Sequence, residues 1–313
     1  MTTMTAPAEL RFRAMGSDVH VLVDGPPGLL QVARDRVEEL ERRWSRFRPD
    51  SEISRLNALA GSPMAVSPET LGLVGRALEG ARVTGGRFDP TVLGDLLRAG
   101  YDRTFEELGH AGAAAGGSPL RRGWARVVVD AAAASVTVPA GVGLDPGGIG
   151  KGYAADLVVE EVRAAGAAGV CANLGGDLRA EGRAPGAGSW VVGIEHPLRP
   201  GPVATVTLDR GAVATSSRVR RAWGPAADRR HHLIDPATGA PADTGLAAVT
   251  VLAARGWQAE VLAKAAFLGG LDRGRALLTV AGADGLLVDD RGRLHPTGGF
   301  DRFLAGGGAG VDR

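Results

Sequence analysis

The chain is almost without lysine. Of its 36 basic residues, 34 are arginine, and the only lysines are Lys151 and Lys264. Asparagine occurs only as Asn57 and Asn173, tyrosine only as Tyr101 and Tyr153, and isoleucine only as Ile53, Ile149, Ile194 and Ile234. These residue types have AT-rich codons, so the pattern points to a GC-rich coding sequence that has replaced them wherever another residue would serve. Those that survive mark positions where the replacement did not serve. Cysteine is limited to Cys171, which excludes an intrachain disulfide and makes the cytoplasm the expected location. Aromatic residues are 4 % of the chain, so the core has to be built mainly from Val, Leu and Ala. Neither charge sign is in excess: a formal net charge of +1 gives no electrostatic case for nucleic acid or an anionic membrane as partner. No apolar run reaches the roughly 18 residues of a membrane span. The opening Met1-Thr2-Thr3-Met4-Thr5-Ala6-Pro7 lacks the basic and apolar regions of a signal peptide.

What remains is the profile of a soluble globular protein. Hydrophobic residues are 44 % and charged residues 23 % of 313 positions, enough for one large domain or two closely packed ones. Leu10–Val23 reads as a strand, with Val19, Val21 and Val23 alternating. Pro26-Pro27 marks a turn, and Leu29–Trp44 has a helical pattern. A short helix is expected near Ser51, and a longer one over Pro68–Thr84 with Gly85-Gly86 as its stop. Ala111–Pro119 is a low-complexity loop. Val127–Asp130 and Ser135–Val138 form a hairpin pattern, and a helix is expected over Tyr153–Ala165. Val170–Leu174, Trp190–Ile194, Ala204–Leu208, Leu246–Leu252 and a segment at Leu286-Leu287 read as strands, with a helix over Trp257–Leu268. Strands and helices mix without a strict alternation, which favours an α+β fold, with mixed sheets flanked by helices, over a Rossmann sheet.

Four segments carry chemistry. Gly147-Gly148-Ile149-Gly150-Lys151-Gly152-Tyr153 is a glycine turn entering a helix, where backbone can approach an anion closely. It is not a P-loop, because Gly152 rather than Ser or Thr follows the lysine. Alone it is as often a plain structural turn; a lysine surviving here tilts it towards anion contact. His231-His232-Leu233-Ile234-Asp235-Pro236-Ala237-Thr238-Gly239 sets a histidine three residues from an aspartate, a spacing that can orient a proton transfer. Its structural alternative is an Asp-Pro, Thr-Gly turn. Adjacent histidines on a strand face opposite ways, which argues against shared metal ligation. Phe88-Asp89-Pro90-Thr91 offers an aromatic wall with a polar edge, or a helix cap. Asn173-Leu174-Gly175-Gly176-Asp177 puts small and polar groups at a strand end, or makes a tight turn.

Together these segments resemble the ApbE-like FAD:protein FMN transferases. Met15-Gly16-Ser17, Asp50–Asn57 and Gly86–Thr91 are followed by Asp145–Asp156, Asn173–Asp177, Ala214-Thr215-Ser216-Ser217 and His232–Gly239, in the family's order, over about residues 11–290. The resemblance implies a single compact unit over 11–303, between a loose start (1–10) and a glycine-rich tail (304–313). It implies an enzyme that cleaves the FAD pyrophosphate and attaches FMN to a Thr or Ser of an acceptor flavoprotein, with Mg²⁺ neutralising the phosphates. FAD is then expected along Met15, Phe47, Arg87, Phe88, Asp89, Gly147, Lys151, Tyr153, Leu233 and Ile234. His232, Glu260 and Lys264 are the implied catalytic groups. The metal would sit between the Gly150 carbonyl, Glu260 and position 264. Here the chain departs from the family: an ammonium at 264 has no lone pair to give a metal. Two other readings follow from that departure: an FAD-binding protein without transfer activity, and an FAD pyrophosphatase releasing FMN and AMP. Lys264 is instead expected to be a built-in cation, paired with Glu260 one helical turn earlier.

Overall fold

A computed structural model describes residues 8–108, 117–186, 188–225 and 229–305. Residues 1–7 of the expected loose start, most of the Ala111–Pro119 loop and Gly306-Gly307-Gly308 lie outside them.

The segment Leu10–Val23 is two strands, not one. β1 (Ala8–Ala14) and β2 (Ser17–Asp24) pair antiparallel with Ala14 opposite Ser17, across the two-residue tip Met15-Gly16. Both tip residues have positive φ, 52° and 60°, the mirror-image turn whose twist suits a hairpin. Strand alternation alone does not reveal a reversal this tight. Residues 8–10, expected to be loose, are paired strand.

α1 (Leu29–Trp44) buries Leu29, Ala33, Val37, Leu40 and Trp44, the one-sided spacing of an amphipathic helix. α2 (Glu52–Ala58) is capped by the Ser51 side chain, which accepts from Ser54 N. β3 (Pro63–Ala65) precedes α3 (Pro68–Val83), where Ser67 is the cap and Pro68 opens the first turn. α4 (Leu93–Arg98) and α5 (Phe105–Leu108) are short. β4 (Val128–Asp130) and β5 (Ser135–Thr137) complete a small sheet with β3. α6 (Gly150–Ala164) starts inside the glycine turn, three residues earlier than expected, so Lys151 is helical.

β6 (Gly169–Leu174), β7 (Asp177–Gly182), β8 (Trp190–Glu195), β9 (Pro202–Leu208) and β10 (Arg210–Ser217) follow. Four two-residue strands come next: β11 (Ala222–Trp223), β12 (Arg230–His231), β13 (Ile234–Asp235) and β14 (Ala240–Pro241). β15 (Leu246–Ala253), α7 (Gly256–Val280), β16 (Asp284–Asp289) and β17 (Leu294–Pro296) come last, before a short 3-10 turn at Phe300–Phe303. β7, β10 and β17 were not foreseen, because β7 and β10 are largely buried yet carry Asp, Arg, Glu, Thr and Ser in place of an apolar alternation, and β17 is only three residues long. α7 runs past its expected end at Leu268; Gly270, with φ 71° and ψ −175°, breaks it there into two halves.

The main sheet has eight strands in the order β1-β2-β6-β7-β10-β15-β16-β17, and each neighbouring pair is antiparallel. One face packs against α1, α6 and α7 through Val19, Val21, Val170, Ala172 and Val159. The other is closed by the β8–β9 hairpin and Phe300, over Cys171, Leu178, Val213 and Leu286. The α+β architecture thus stands, with an antiparallel sheet at its centre.

α6 and α7 meet at their N-termini, backbone against backbone. A Cβ on Gly152 would lie 2.3 Å from the Gly256 carbonyl oxygen, and a Cβ on Gly256 would lie 2.3 Å from that of Gly152. Asp156, one turn into α6, accepts from Gly256 N (2.8 Å) and Trp257 N (3.0 Å), capping α7 from its neighbour. The same carboxylate lies 3.3 Å from Arg179 Nε, and both side chains are buried. Asp156→Ala should therefore cost about 3 kcal/mol, because it leaves two buried helix amides without a partner and takes from the buried Arg179 guanidinium one of its two carboxylates, Glu181 being the other. The measurement is the urea midpoint at constant m. A loss under about 1 kcal/mol, the scale of an exposed pair, would show that the junction does not depend on this carboxylate.

Candidate active site

The glycine turn is built from behind by three segments. Asn57 reads the backbone of Leu144 at both ends, donating to its carbonyl (2.9 Å) and accepting from its N–H (2.7 Å). The Pro90 carbonyl accepts from Asp145 N at 2.8 Å. Ile149 N and Gly150 N both donate to Pro146 O, turning the chain into α6. Asp145 therefore enters the cleft with its backbone fixed, and its carboxylate lies 3.2 Å from Arg46 Nε.

Arg46 organises the apolar end of the cleft. Its guanidinium stacks over Phe47 (4.1 Å) and Tyr101 (4.6 Å), donates to the Tyr101 carbonyl (2.9 Å) and is almost wholly buried. Tyr101 in turn leans on Trp223, which donates from Nε1 to Ala99 O. Here a cavity of about 150 Å³ is lined by Met15, Trp44, Phe47, Tyr101 and Phe105, and by Asp145, Gly147, Gly150, Lys151, Arg221, His232 and Lys264. It continues into a polar trough of about 660 Å³ that shares Gly147, Lys151, Arg221, His232 and Lys264 and adds Asp177, Ser216, Ser217 and Glu260. Such a cleft, aromatic at one end and charged at the other, suits a ligand with a flat ring system and a phosphate chain.

Its charges are locally committed. Lys151 Nζ pairs with the carboxylates of Asp177 and, at 3.1 Å, Glu260. Burial works against its charge, but the two carboxylates more than offset it and hold the ammonium above its ordinary value. Lys151 is thus an ion-paired strut, where free anion contact was expected. Glu260 gives its second oxygen to Gly152 N (2.8 Å), and burial pushes its carboxyl up while Lys151 pulls it down. The expected Glu260–Lys264 pair does not form. Glu260 bonds across to α6 rather than along its own helix, because the close glycine contact brings Gly152 within reach.

The donors expected for a divalent metal do not fit one. Glu260 is already engaged by an ammonium and an amide, and Lys264 brings a second ammonium to the place of the third donor. No cluster of three or more His, Cys, Asp or Glu arranged for a metal occurs among the described residues.

His232 faces both parts of the cleft. Its Nδ1 lies 3.4 Å from the Arg221 carbonyl; a carbonyl only accepts, so Nδ1 carries the proton and Nε2 keeps its lone pair. Burial, helped by Arg221 and Lys264, pulls its pKa well below 6.5, so the ring is neutral near pH 7. His231 is spent on structure: its ring nitrogens meet Ala242 O (3.1 Å) and Leu233 N (3.3 Å). The anticipated His232–Asp235 relay is not present, since Asp235 Oδ1 accepts from Ala237 N in a local turn.

Of the residues expected to hold FAD, Met15, Phe47, Gly147 and Lys151 line the cleft, as does Gly150 of the expected metal set. Phe88 does not: it is fully buried in the core, against Gly80. Asp89 accepts from the N–H and hydroxyl of Thr91, which holds Gly123 N, so this segment braces the turn and leaves Arg87 outside the lining. Tyr153 stacks on Trp44 at 5.7 Å on the rear of α6. Leu233 and Ile234 are core. Sequence reasoning missed Arg46 and Arg221, which are indistinguishable among 34 arginines. Tyr101, one of two surviving tyrosines, carried a signal that was there to use.

A sequence model of the ApbE family matches residues 15–287. This chain belongs to the ApbE family. It is 34 % identical over 285 residues to an FAD:protein FMN transferase of Treponema pallidum, covering 84 % of this chain and 78 % of the relative. A Vibrio cholerae protein of the same name is 29 % identical, covering 93 % and 91 %. Among solved structures, an ApbE protein of Thermotoga maritima superposes with TM-score 0.86 at 28 % identity, covering 96 % of this chain and all of that one. The apo flavinyl transferase ApbE of Pseudomonas stutzeri gives 0.82 at 28 %, covering 96 % and 98 %. In this chain the aromatic and charged groups converge in the cleft between the β1–β2 tip and the α6–α7 junction.

Two outcomes test this description of the cleft. Phe88→Ala should lower stability by about 3–5 kcal/mol yet leave FAD affinity of the folded protein unchanged; a weakened FAD titration would return Phe88 to the pocket. The neutral His232 has a pH signature. Below about pH 6.5 the unfolded chain takes up a proton that the folded site refuses. Stability then falls with pH, by up to about 1.4 kcal/mol per unit for one proton. His232→Gln should flatten the fall in urea midpoint between about pH 7 and pH 5.5. An unaltered fall would mean the native ring is charged.

Proposed function

We propose that the chain is an FAD:protein FMN transferase acting on a Thr or Ser hydroxyl of an acceptor flavoprotein. The observation that carries it is the continuous cleft: an Arg46–Phe47–Tyr101 aromatic end opening into a cation-bearing trough, in a chain of the ApbE family. The flavin ring system would occupy the aromatic end and the diphosphate the trough around Lys264 and Arg221. The acceptor oxygen attacks the phosphorus on the FMN side. The bond from that phosphorus to the bridging oxygen breaks, and AMP departs with the bridging oxygen. The acceptor proton passes to His232 Nε2, whose lone pair is kept available by the Nδ1–H bond to Arg221 O. Little covalent work falls to the protein, because phosphoryl transfer is mainly positioning and charge stabilisation. No described helix is long and apolar enough to cross a membrane. Cys171 is buried, its thiol pushed up to about 12, so it takes no part in the chemistry. A cytoplasmic site of action suits a chain with this one unreactive thiol.

Purified protein given FAD and acceptor should produce a flavin-labelled acceptor and one AMP per label. Release of FMN and AMP without label would instead mean that water is the attacking group, and tight FAD binding without products would mean a carrier. His232→Asn should slow labelling by about 100-fold or more while FAD affinity stays within a few-fold. Equal labelling rates would remove His232 from the proton transfer.

A further inference from the structure

The Lys264 ammonium belongs to none of the closed ion pairs of the cleft. It comes from α7, one turn after Glu260, and reaches across to the glycine turn before α6. There the side chain fills the space that a residue larger than glycine would need at 148. A Cβ on Gly148 would lie 2.2 Å from Lys264 Nζ, 2.7 Å from Cε and 3.0 Å from Cδ. Lys264 and Gly148 are therefore a fitted pair. Among the described residues, none forms a hydrogen bond or close ion pair with this ammonium. Asp145 and Glu260 act on it only at longer range, and both are committed elsewhere, to Arg46 and to Lys151 with Gly152. An unpaired cation in a largely buried place is costly unless a ligand supplies the opposite charge. It lines both the aromatic end and the polar trough, so it sits where the two parts of the cleft join.

We propose that Lys264 takes the place of a divalent cation at the FAD diphosphate, and that this chain binds the dinucleotide without metal. The proposal rests on FAD being the ligand. A compact ammonium on a flexible stem fits the slot over Gly148, where the planar fork of arginine does not. That accounts for a lysine persisting in a chain that otherwise uses arginine. It also accounts for Glu260 turning away from its own helix: a carboxylate bonded to Lys151 and Gly152 no longer competes with phosphate for Lys264.

The test is calorimetric titration of the full chain with FAD, in excess EDTA and in millimolar Mg²⁺, for wild type, Lys264→Met, Lys264→Thr and Gly148→Ala. Wild type should bind FAD equally in both conditions. Lys264→Met, which keeps the apolar stem, should bind about tenfold or more weakly in both, the scale of one charge-assisted contact. Gly148→Ala has an ordinary backbone geometry to adopt and should weaken FAD in the same way by displacing the lysine tip. It keeps the question answerable if Lys264→Met fails to fold. Lys264→Thr should bind weakly in EDTA and recover with Mg²⁺. Wild-type binding that tightens tenfold or more with Mg²⁺, or Lys264→Met and Gly148→Ala that bind like wild type, would overturn the proposal and leave the FAD assignment intact. Absence of FAD binding to wild type in both conditions would overturn both.

Discussion

Two glycines set the geometry on which the site depends. Gly152 and Gly256 let the N-termini of α6 and α7 touch without side chains between them, and neither position has space for a Cβ. The helix amides freed at that junction are taken by Asp156 from one side and Glu260 from the other. Everything in the polar trough is measured from there. Glu260 can reach Gly152 only because the backbones touch, and the next turn of α7 then carries Lys264 over Gly148. A junction opened by even one methyl group would withdraw both side chains from the cleft. Close packing here is therefore what places both side chains in the cleft.

Much of the fold was legible because α1 and α3 carry their buried residues at helix spacing, and β6 and β15 are short apolar runs buried along almost their whole length. The Met15-Gly16 reversal was not, since a Met in the left-handed region leaves no compositional trace. Within the site, residues rare in this chain carried the readable signal. Lys151, Lys264 and Asn57 all sit at or behind the glycine turn, while Asn173 shapes the neighbouring turn by accepting from Gly176 N. Arg46 carries as much of the cleft but was invisible for the opposite reason, its residue type being everywhere. Phe88 and Tyr153 show a different limit. They stand next to the site in sequence and behind it in space, and only packing decides between the two.

The cleft's electrostatics divide into a fixed part and a part left open. Arg46–Asp145 is a closed pair, and Lys151 stands between two carboxylates, Asp177 and Glu260, so these groups are engaged with one another and shape the walls. Lys264 and the neutral His232 are what this engaged frame leaves for a ligand to meet. The net charge of the whole protein says nothing about this arrangement. A value near zero hides a local field that depends on which pairs are closed.

The site draws on both ends of the sequence. Met15 lies at the tip of the first hairpin, and Arg221 joins it through bonds to Gly16 O and Ser17 Oγ; His232 and Lys264 come later still. Contacts this distant along the chain carry a loop-closure cost that slows folding. During synthesis the first hairpin, α1 and α6 can emerge and collapse while the cleft still lacks its far wall. The growing chain accordingly passes through most of its length before the cleft has both walls, and gains the second only with α7. A product truncated before α7 would carry the aromatic end of the cleft but not Glu260 and Lys264, which close it.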